Sequence, residues 1–530
     1  MRLQRQATGR STVGAGIAPG NFEKNMIKQY LSEWRRAALT GAAALACIAN
    51  LAAADAPKLN ISDREIDRSA RGASFAPVIK RVTPSVVTIQ STRTVRSRGQ
   101  QNRNPFLDDP RFREYFGDLF QPRDGGRQRR YTEQSLGSGV IVSEDGYILT
   151  NNHVIDGADS DGVKVALADG KTKYDAKVVG KDPRTDVAVL KIDAKKLPAI
   201  TLADSEKIEV GDVVLAIGNP FNVGQSVSMG IISAVGRGGM GITEYEDFIQ
   251  TDAAINPGNS GGALVDVEGR LIGINQSIAS PNGGNSGVGF AVPVNLARNV
   301  LERLATDGKI TRGYLGVSPQ NVTPELAKEF NLPGNSGALV GDVVGGTPAE
   351  KAGIKEGDVI VEVNGKKITD PRHLRLTIAQ TPPKSKVALK VLRDGKEKIF
   401  TVTLAPLPED LAGGSAEDAP KSSSVDSKRE QLDGVEVGDL DNRTRRQLGI
   451  PARIMGALVS KVDPDSYAAE AGLREGDVIV EIDRLPVSDA DEAVKLTEKS
   501  KGDRVLLRVY SHEDGAGATR YLSVKAGKKK

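Results

Sequence analysis

Residues 337–363 and 456–482 are one stretch written twice: Gly-Ala-Leu-Val opens each, Glu-Gly-Asp-Val-Ile-Val-Glu nearly closes each, and about half of the positions match without a gap. A single continuous sheet or bundle does not accommodate such a duplication. Two copies are also too few for a solenoid, which must stack several units to bury a core, so the rear of the chain reads as two paired modules. Residues 313–405 hold the first and residues 432–526 the second. Between them, residues 406–431 are rich in Pro, Gly, Ser and charge, as a flexible tether should be.

The front of the chain has a different rhythm. From residue 75 to 307 short β-branched runs, among them Val86–Gln90, Gly139–Ser143, Val187–Ile192 and Val213–Ile217, alternate with Gly, Asn and Asp turns. Many short strands at such spacing predict a mainly β domain, a barrel or a sandwich. It closes on a helix, with Pro293 at the first helical position and Leu296, Val300, Leu301 and Leu304 on one face. At 530 residues, 39% apolar and 26% charged, the chain is ordinary globular material with room for three domains.

Within the β-rich part stand, in chain order, His153 in Thr-Asn-Asn-His-Val, Asp186 before Val-Ala-Val-Leu, and Ser260 in Gly-Asn-Ser-Gly-Gly. A serine hydroxyl is a weak nucleophile at neutral pH. It needs an imidazole to take its proton and a carboxylate to fix the imidazole tautomer. Of the three histidines in the chain, His373 and His512 fall inside the duplicated modules, which leaves His153 as the candidate base. Asp182 is the nearest rival acid; Asp186 is favoured because the apolar run behind it reads as a core strand that would hold it at a buried edge. Gly258, Ser260 and Gly262 also spell G-x-S-x-G, the nucleophile elbow of α/β-hydrolases, but there the serine precedes acid and histidine, the reverse of the order found here. Six positions before Ser260, where trypsin-like proteins carry an acid, this chain has Ala254, and the walls drawn from Ile274, Asn275, Gln276, Ser277 and Ile278 are mostly apolar or small. Such a pocket should take an aliphatic side chain.

These stretches, together with Gly137-Ser-Gly-Val-Ile-Val, Gly146-Tyr-Ile-Leu-Thr, Asp182-Pro-Arg-Thr and Gly218-Asn-Pro-Phe, resemble the HtrA family of bacterial envelope serine proteases. The resemblance implies a chymotrypsin-like double β-barrel followed by two α+β PDZ domains. It implies an ATP-independent serine endopeptidase of protein quality control, active on misfolded or unfolded envelope proteins, with a chaperone-like side. By the same resemblance the oxyanion donors are Gly258 and Ser260, with Asn259 as a third candidate, and the assembly is a homotrimer that can build larger cages. Residues 93–130, polar but carrying Phe106, Phe112, Tyr115, Phe116 and Phe120, match the long loop that in this family guards the active site and meets a neighbouring subunit.

PDZ domains add an extended peptide to a sheet edge and capture its terminal carboxylate with backbone N–H groups of a glycine-containing loop. In the first module the matching loop is Tyr314, Leu315, Gly316 and Val317; in the second it is Leu432, Asp433, Gly434 and Val435, where an acid stands beside the carboxylate site. Hydrophobic C-terminal peptides are thus the expected ligands of the first. His373, just after Asp370-Pro371, reads as a solvent-exposed residue of a first helical turn.

Residues 1–54 read as an extension and an export signal. Lys28, Arg35 and Arg36 precede an alanine-rich stretch, Ala52-Ala53-Ala54 has the form of a cleavage site, and Met26 is a candidate true start. Thr40 and Asn50 interrupt the stretch, which argues against a permanent anchor and leaves membrane contact to an uncleaved signal or to peripheral association. The expected compartment is the periplasm. The sole cysteine, Cys47, lies inside this signal, so no disulfide is expected in the mature chain. Dispersed histidines without a cysteine pair predict neither metal nor cofactor. A net charge of +4 implies no polyanion, and acids among the aromatics of 93–130 argue against nucleic acid.

Overall fold

The computed structural model describes residues 57–62, 64, 74–95, 131–219, 224–256, 258–278, 286–408, 430–432, 434–500, 502–513 and 516–526. The export signal and most of the 93–130 insertion lie outside these residues. Six strands, β1 (Val86–Val95), β2 (Tyr131–Ile141), β3 (Tyr147–Asn151), β4 (Val163–Ala166), β5 (Lys173–Asp182) and β6 (Val187–Ile192), close one antiparallel barrel in the order β1-β2-β3-β6-β5-β4. Six more, β7 (Val213–Gly218), β8 (Ser226–Arg237), β9 (Phe248–Thr251), β10 (Ala263–Asp266), β11 (Leu271–Ile278) and β12 (Gly289–Pro293), close a second in the order β10-β11-β12-β9-β8-β7.

Strand β6 shows why the sequence runs apolar without alternation. Ala188, Leu190 and Ile192 fill the interior of the first barrel, while Val187 and Val189 face a separate core at the seam between the barrels. Strand β7 does the same from the other side, with Val214 and Ala216 inside its barrel and Leu215 and Ile217 at the seam. A strand buried on both faces has no polar face to show. The helix Val294–Asp307 seals this seam with Leu296, Ala297, Val300, Leu301 and Leu304, and stops at Gly308, whose left-handed φ of 67° and N–H bond to the Leu304 carbonyl form a C-cap.

Downstream, each duplicated module is a five-strand antiparallel sheet path with a helix across it. In the first the order is Val317–Asn321, Ala338–Val343, Val359–Val363, Lys386–Arg393 and Lys396–Thr403, with the helix Pro371–Gln380 on the core formed by Leu374, Ile378 and Val387 among others. The second repeats this over Val435–Asp439, Ala457–Val462, Val478–Ile482, Arg504–Glu513 and Ala516–Lys525, with the helix Ala490–Lys499, and gains one extra strand, Glu430–Leu432, at its front edge.

The expected tether needs correction at both ends. Ala405–Pro406 pairs with Gly313–Tyr314, and Glu430–Leu432 pairs with Val435 and Glu436, so 406–431 begins and ends in strands. Nor do the modules hang free of each other. Phe330 meets Tyr521 edge to face at 5.1 Å, the Gln320 amide both donates to the Tyr521 carbonyl (2.9 Å) and accepts from its N–H (2.7 Å), and the Thr519 hydroxyl donates to the Gly341 carbonyl. His373 is also less exposed than expected. Its backbone N–H caps on Asp370, but the residue is part-buried, and burial, with the charge of Lys366, holds its pKa below the ordinary value.

Candidate active site

Asp186 sits at the point where the chain turns into β6, and it takes a φ of 55°, the left-handed region that aspartate tolerates better than most residues. That turn points its carboxylate at the short helix Asn152–Ile155. One oxygen accepts the backbone N–H of His153 at 2.9 Å, and the other lies 2.6 Å from His153 Nδ1. Its carbonyl is held as well, by the Asn152 N–H and the Asn151 amide, each at 3.1 Å. An ionised carboxylate can only accept, so the Nδ1 proton stays on the imidazole and the lone pair is left at Nε2. Burial works to lower the His153 pKa, but the charge of Asp186, the hydrogen bond to it and the charge of Asp156 outweigh that, and the net shift is upward.

Asp182, the rival acid, is engaged elsewhere. It accepts from the Thr185 hydroxyl at 2.7 Å and forms a buried ion pair with Arg312 at 2.6 Å, at the entry to the first module. The guanidinium of Arg312 in turn lies 4.5 Å above the Tyr245 ring.

Ser260 approaches from the second barrel. Its hydroxyl donates to the Gln276 carbonyl at 2.9 Å, and the Gln276 side-chain amide reaches Asp186 Oδ2 at 3.4 Å, so one residue of β11 touches both the nucleophile candidate and the acid. The Ser260 turn is braced by Ser138 of the first barrel: its N–H donates to the Ser260 carbonyl (2.8 Å), its hydroxyl donates to the Gly258 carbonyl (2.6 Å) and accepts from the Asn219 N–H (2.8 Å). A Cβ on Gly261 would lie 2.1 Å from the Ser138 carbonyl, so this crossing admits only glycine.

Gly258 has a φ of 93°, which frees its N–H from the run of the turn, and among the described residues no acceptor meets the N–H of Gly258 or of Ser260. Asn259 is different. Its N–H donates to the Asn256 carbonyl at 2.9 Å, which removes it from the set of available oxyanion donors. The expected pocket walls also change. Ile274 packs fully buried in the seam core, and the Asn275 amide bonds the carbonyls of Ile217 (3.3 Å) and Ala263 (3.1 Å), so these two face inward rather than into a cleft. Ala254 is part-exposed, with the Ser228 hydroxyl on its carbonyl. Ser277 and Ile278 lie on the same strand, but their side chains are outside the described part.

Neither Ser138 nor the bracing role of Gln276 was assigned from sequence. The Gly-Ser-Gly within β2 is a visible signal for the first; the second depends on β11 lying beside β3 across the seam, which no local pattern reports.

In the first module, Leu315 is buried in the core, Gly316 has a φ of 87° and its carbonyl accepts from the Val344 N–H (3.0 Å), and Val317 opens the edge strand. Tyr314 is part-buried and paired to Ala405.

Residues 137–274 match the model of the trypsin-like peptidase domain, and residues 313–404 and 458–511 match PDZ domain models. A probable periplasmic serine endoprotease, DegP-like, of Chlamydia trachomatis is 41% identical over 446 residues, covering 82% of this chain and 86% of that protein. The periplasmic serine endoprotease DegP of Escherichia coli K12 is 41% identical over 441 residues, 80% of this chain and 87% of the relative. The chain belongs to the HtrA family of DegP-like serine endoproteases. Among solved structures, the HtrA-type protease AlgW with tripeptide is 44% identical, covers 63% of this chain and 98% of its own, and superposes with a TM-score of 0.50.

Membership makes the chain a serine endopeptidase with a double barrel and two PDZ domains. Its relatives are named periplasmic, and among the described residues no helix is long and apolar enough to cross a membrane.

Proposed function

We propose that Ser260 is the nucleophile, His153 the general base and then acid, and Asp186 the residue that orients and stabilises the imidazolium. The observation that carries this is the two-oxygen grip of Asp186 on His153, backbone and ring together. The Ser260 hydroxyl gives up the Gln276 carbonyl, passes its proton to His153 Nε2 and attacks the scissile carbonyl. The N–H groups of Gly258 and Ser260 receive the oxyanion, His153 returns the proton to the leaving amine, and water then cleaves the acyl-enzyme by the same route.

Substrates are unfolded polypeptides, cut after aliphatic residues because Ala254 offers a basic side chain no partner. The first PDZ domain captures hydrophobic C-terminal tails and makes the encounter with the barrel cleft intramolecular. The protein works in the periplasm after signal cleavage, as a homotrimer able to assemble further, and holds unfolded chains as well as cutting them. Purified Ser260→Ala and wild type on unfolded casein test the enzyme assignment: equal cleavage by both defeats it. Light scattering tests assembly, where a fully active monomer at micromolar concentration overturns the trimer.

The tail carboxylate is best tested on the ligand. A Cβ on Gly316 would lie 2.2 Å from Thr347 at a positive φ, so any substitution there deforms the loop as well as changing its charge. Comparing a hydrophobic C-terminal peptide with its amide isolates the carboxylate, and equal affinity for both would remove the capture model.

A further inference from the structure

The two PDZ domains use the chain ahead of their carboxylate loops in opposite ways. Gly316 and Gly434 are structural equivalents: both have left-handed φ (87° and 78°), and both carbonyls accept an N–H from the segment after the second strand, Val344 at 3.0 Å and Asp463 at 2.7 Å. In the first domain Leu315 drops into the core, and the preceding Gly313–Tyr314 pairs away from the edge strand, with Ala405–Pro406. Strand Val317–Asn321 therefore ends the sheet, its outer edge without a partner strand among the described residues.

In the sequence of the second domain Asp433 aligns with Leu315, an acid where the first domain has an apolar residue. As a sequence, Asp-Gly is among the dipeptides favoured in two-residue hairpin loops. Leu432 pairs with Val435 and Glu430 with Glu436, antiparallel, so Glu430–Leu432 becomes the outermost strand of the sheet. The helix Ala490–Lys499 packs on this strand as well as on Val435–Asp439; the helix Pro371–Gln380 likewise meets Gly313–Tyr314 in the first domain, so the difference between the domains lies in the strand pairing. The position between edge strand and helix, and the antiparallel direction with its C-terminal end at the glycine loop, are those a bound C-terminal peptide takes in this mode of recognition.

We infer that the second PDZ domain is liganded by its own chain: Glu430–Leu432 occupies the peptide edge, and capture of C-terminal tails falls to the first domain alone. In sequence the occupant even ends like a ligand, with apolar Leu432 followed by the acid Asp433. An intramolecular strand faces an effective concentration in the millimolar range or higher, so a free peptide of micromolar affinity competes poorly with it. The inference deepens the capture model and rests on it only for the identity of the open domain.

The test uses the full chain with Ser260→Ala, so that the probe survives, and a fluorescent decapeptide ending in Val-Val with a free carboxylate. The expected stoichiometry is about one peptide per chain. Adding Glu430→Pro and Leu432→Pro, which cannot hold a ladder, should raise it by one. Independently, Glu430→Cys with Glu436→Cys should close to a disulfide under mild oxidation in the folded chain, and leave the stoichiometry unchanged. Two peptides per parent chain, one of them expelled by the disulfide, would overturn the inference. So would thiols that stay free in the folded chain, or a proline variant that keeps its thermal unfolding midpoint and gains no site. A parent that binds nothing while the proline variant binds one peptide would defeat the capture model and leave this inference standing.

Discussion

The two barrels share a core, and the two PDZ domains do not. Val86, Leu149 and Val189 of one barrel interleave with Leu215, Phe248 and Val292 of the other, whereas each PDZ sheet closes around its own residues and meets its neighbour through a small cluster to which the second domain adds Leu506 and Tyr521. The joints of the recognition half combine small apolar clusters, this one and that of Tyr245 with Leu376 and Ala379, with polar contacts: Gln320 on Tyr521, Arg312 on Asp182, Arg372 on Asp247 at 3.0 Å. The difference follows from tolerance. The proposed nucleophile on one barrel and the proposed base on the other must hold to within about 0.5 Å, which a dry, close-packed seam secures. Peptide capture survives larger displacements, and small clusters with a few ion pairs and amides suffice.

The sharpest break in this comparison is Ser260→Ala. Casein turnover should fall by roughly four to six orders of magnitude while binding of a hydrophobic C-terminal peptide stays as in wild type, because the halves do not share residues. Asp186→Asn should cost roughly 10⁴ in turnover by presenting the wrong tautomer, again with peptide binding intact. Loss of binding in either variant would mean that the halves are one unit. Removing residues 308–530 should slow cleavage of a long unfolded chain by about tenfold or more and leave cleavage of a short peptide within a small factor of wild type; equal losses would show that the PDZ domains complete the cleft.

Arg312→Ala probes the joint itself. It leaves Asp182 buried without its cation, and breaking such a pair costs about 3–5 kcal/mol, to be read in the thermal unfolding midpoint; a midpoint that does not move would show that Thr185 alone satisfies the carboxylate. Asp156→Asn has the smallest effect. It removes one of the charges that raise the His153 pKa, so the acid limb of the pH–rate profile should move to lower pH. The sign for stability is opposite to that for activity: a histidine whose pKa is raised on folding stabilises below its unfolded pKa, and the contribution is lost as pH rises through the folded value, where the neutral base begins to work.

Much of the catalytic half was legible because its signals are local. The order of His153, Asp186 and Ser260 separates this arrangement from an α/β-hydrolase, and the apolar run after Asp186 marks a strand buried on both faces. What was not legible depends on partners far apart in the chain. Gln276 reads as a pocket wall until β11 lies across the seam from Asp186. Asn259 reads as a donor until Asn256 takes its N–H. The segment 406–431 reads as a tether because composition reports the absence of a core, and a three-residue strand at its end adds too little hydrophobicity to change that.

The helix Val294–Asp307 follows the second barrel in the chain, yet it packs on β5 and β6 of the first as well as on β11 of the second, so closely that a Cβ on Gly180 would lie 2.6 Å from Leu304. The seam thus lacks a wall until that helix exists. During synthesis the barrels are complete by residue 293, but the seam between them lacks this wall until residue 307 has emerged. A nascent chain halted at residue 293 should therefore be sensitive to added protease and unable to cut, and one halted some forty residues later should resist. Such a result would mean that the order of translation holds Ser260 and His153 apart until the helix is made.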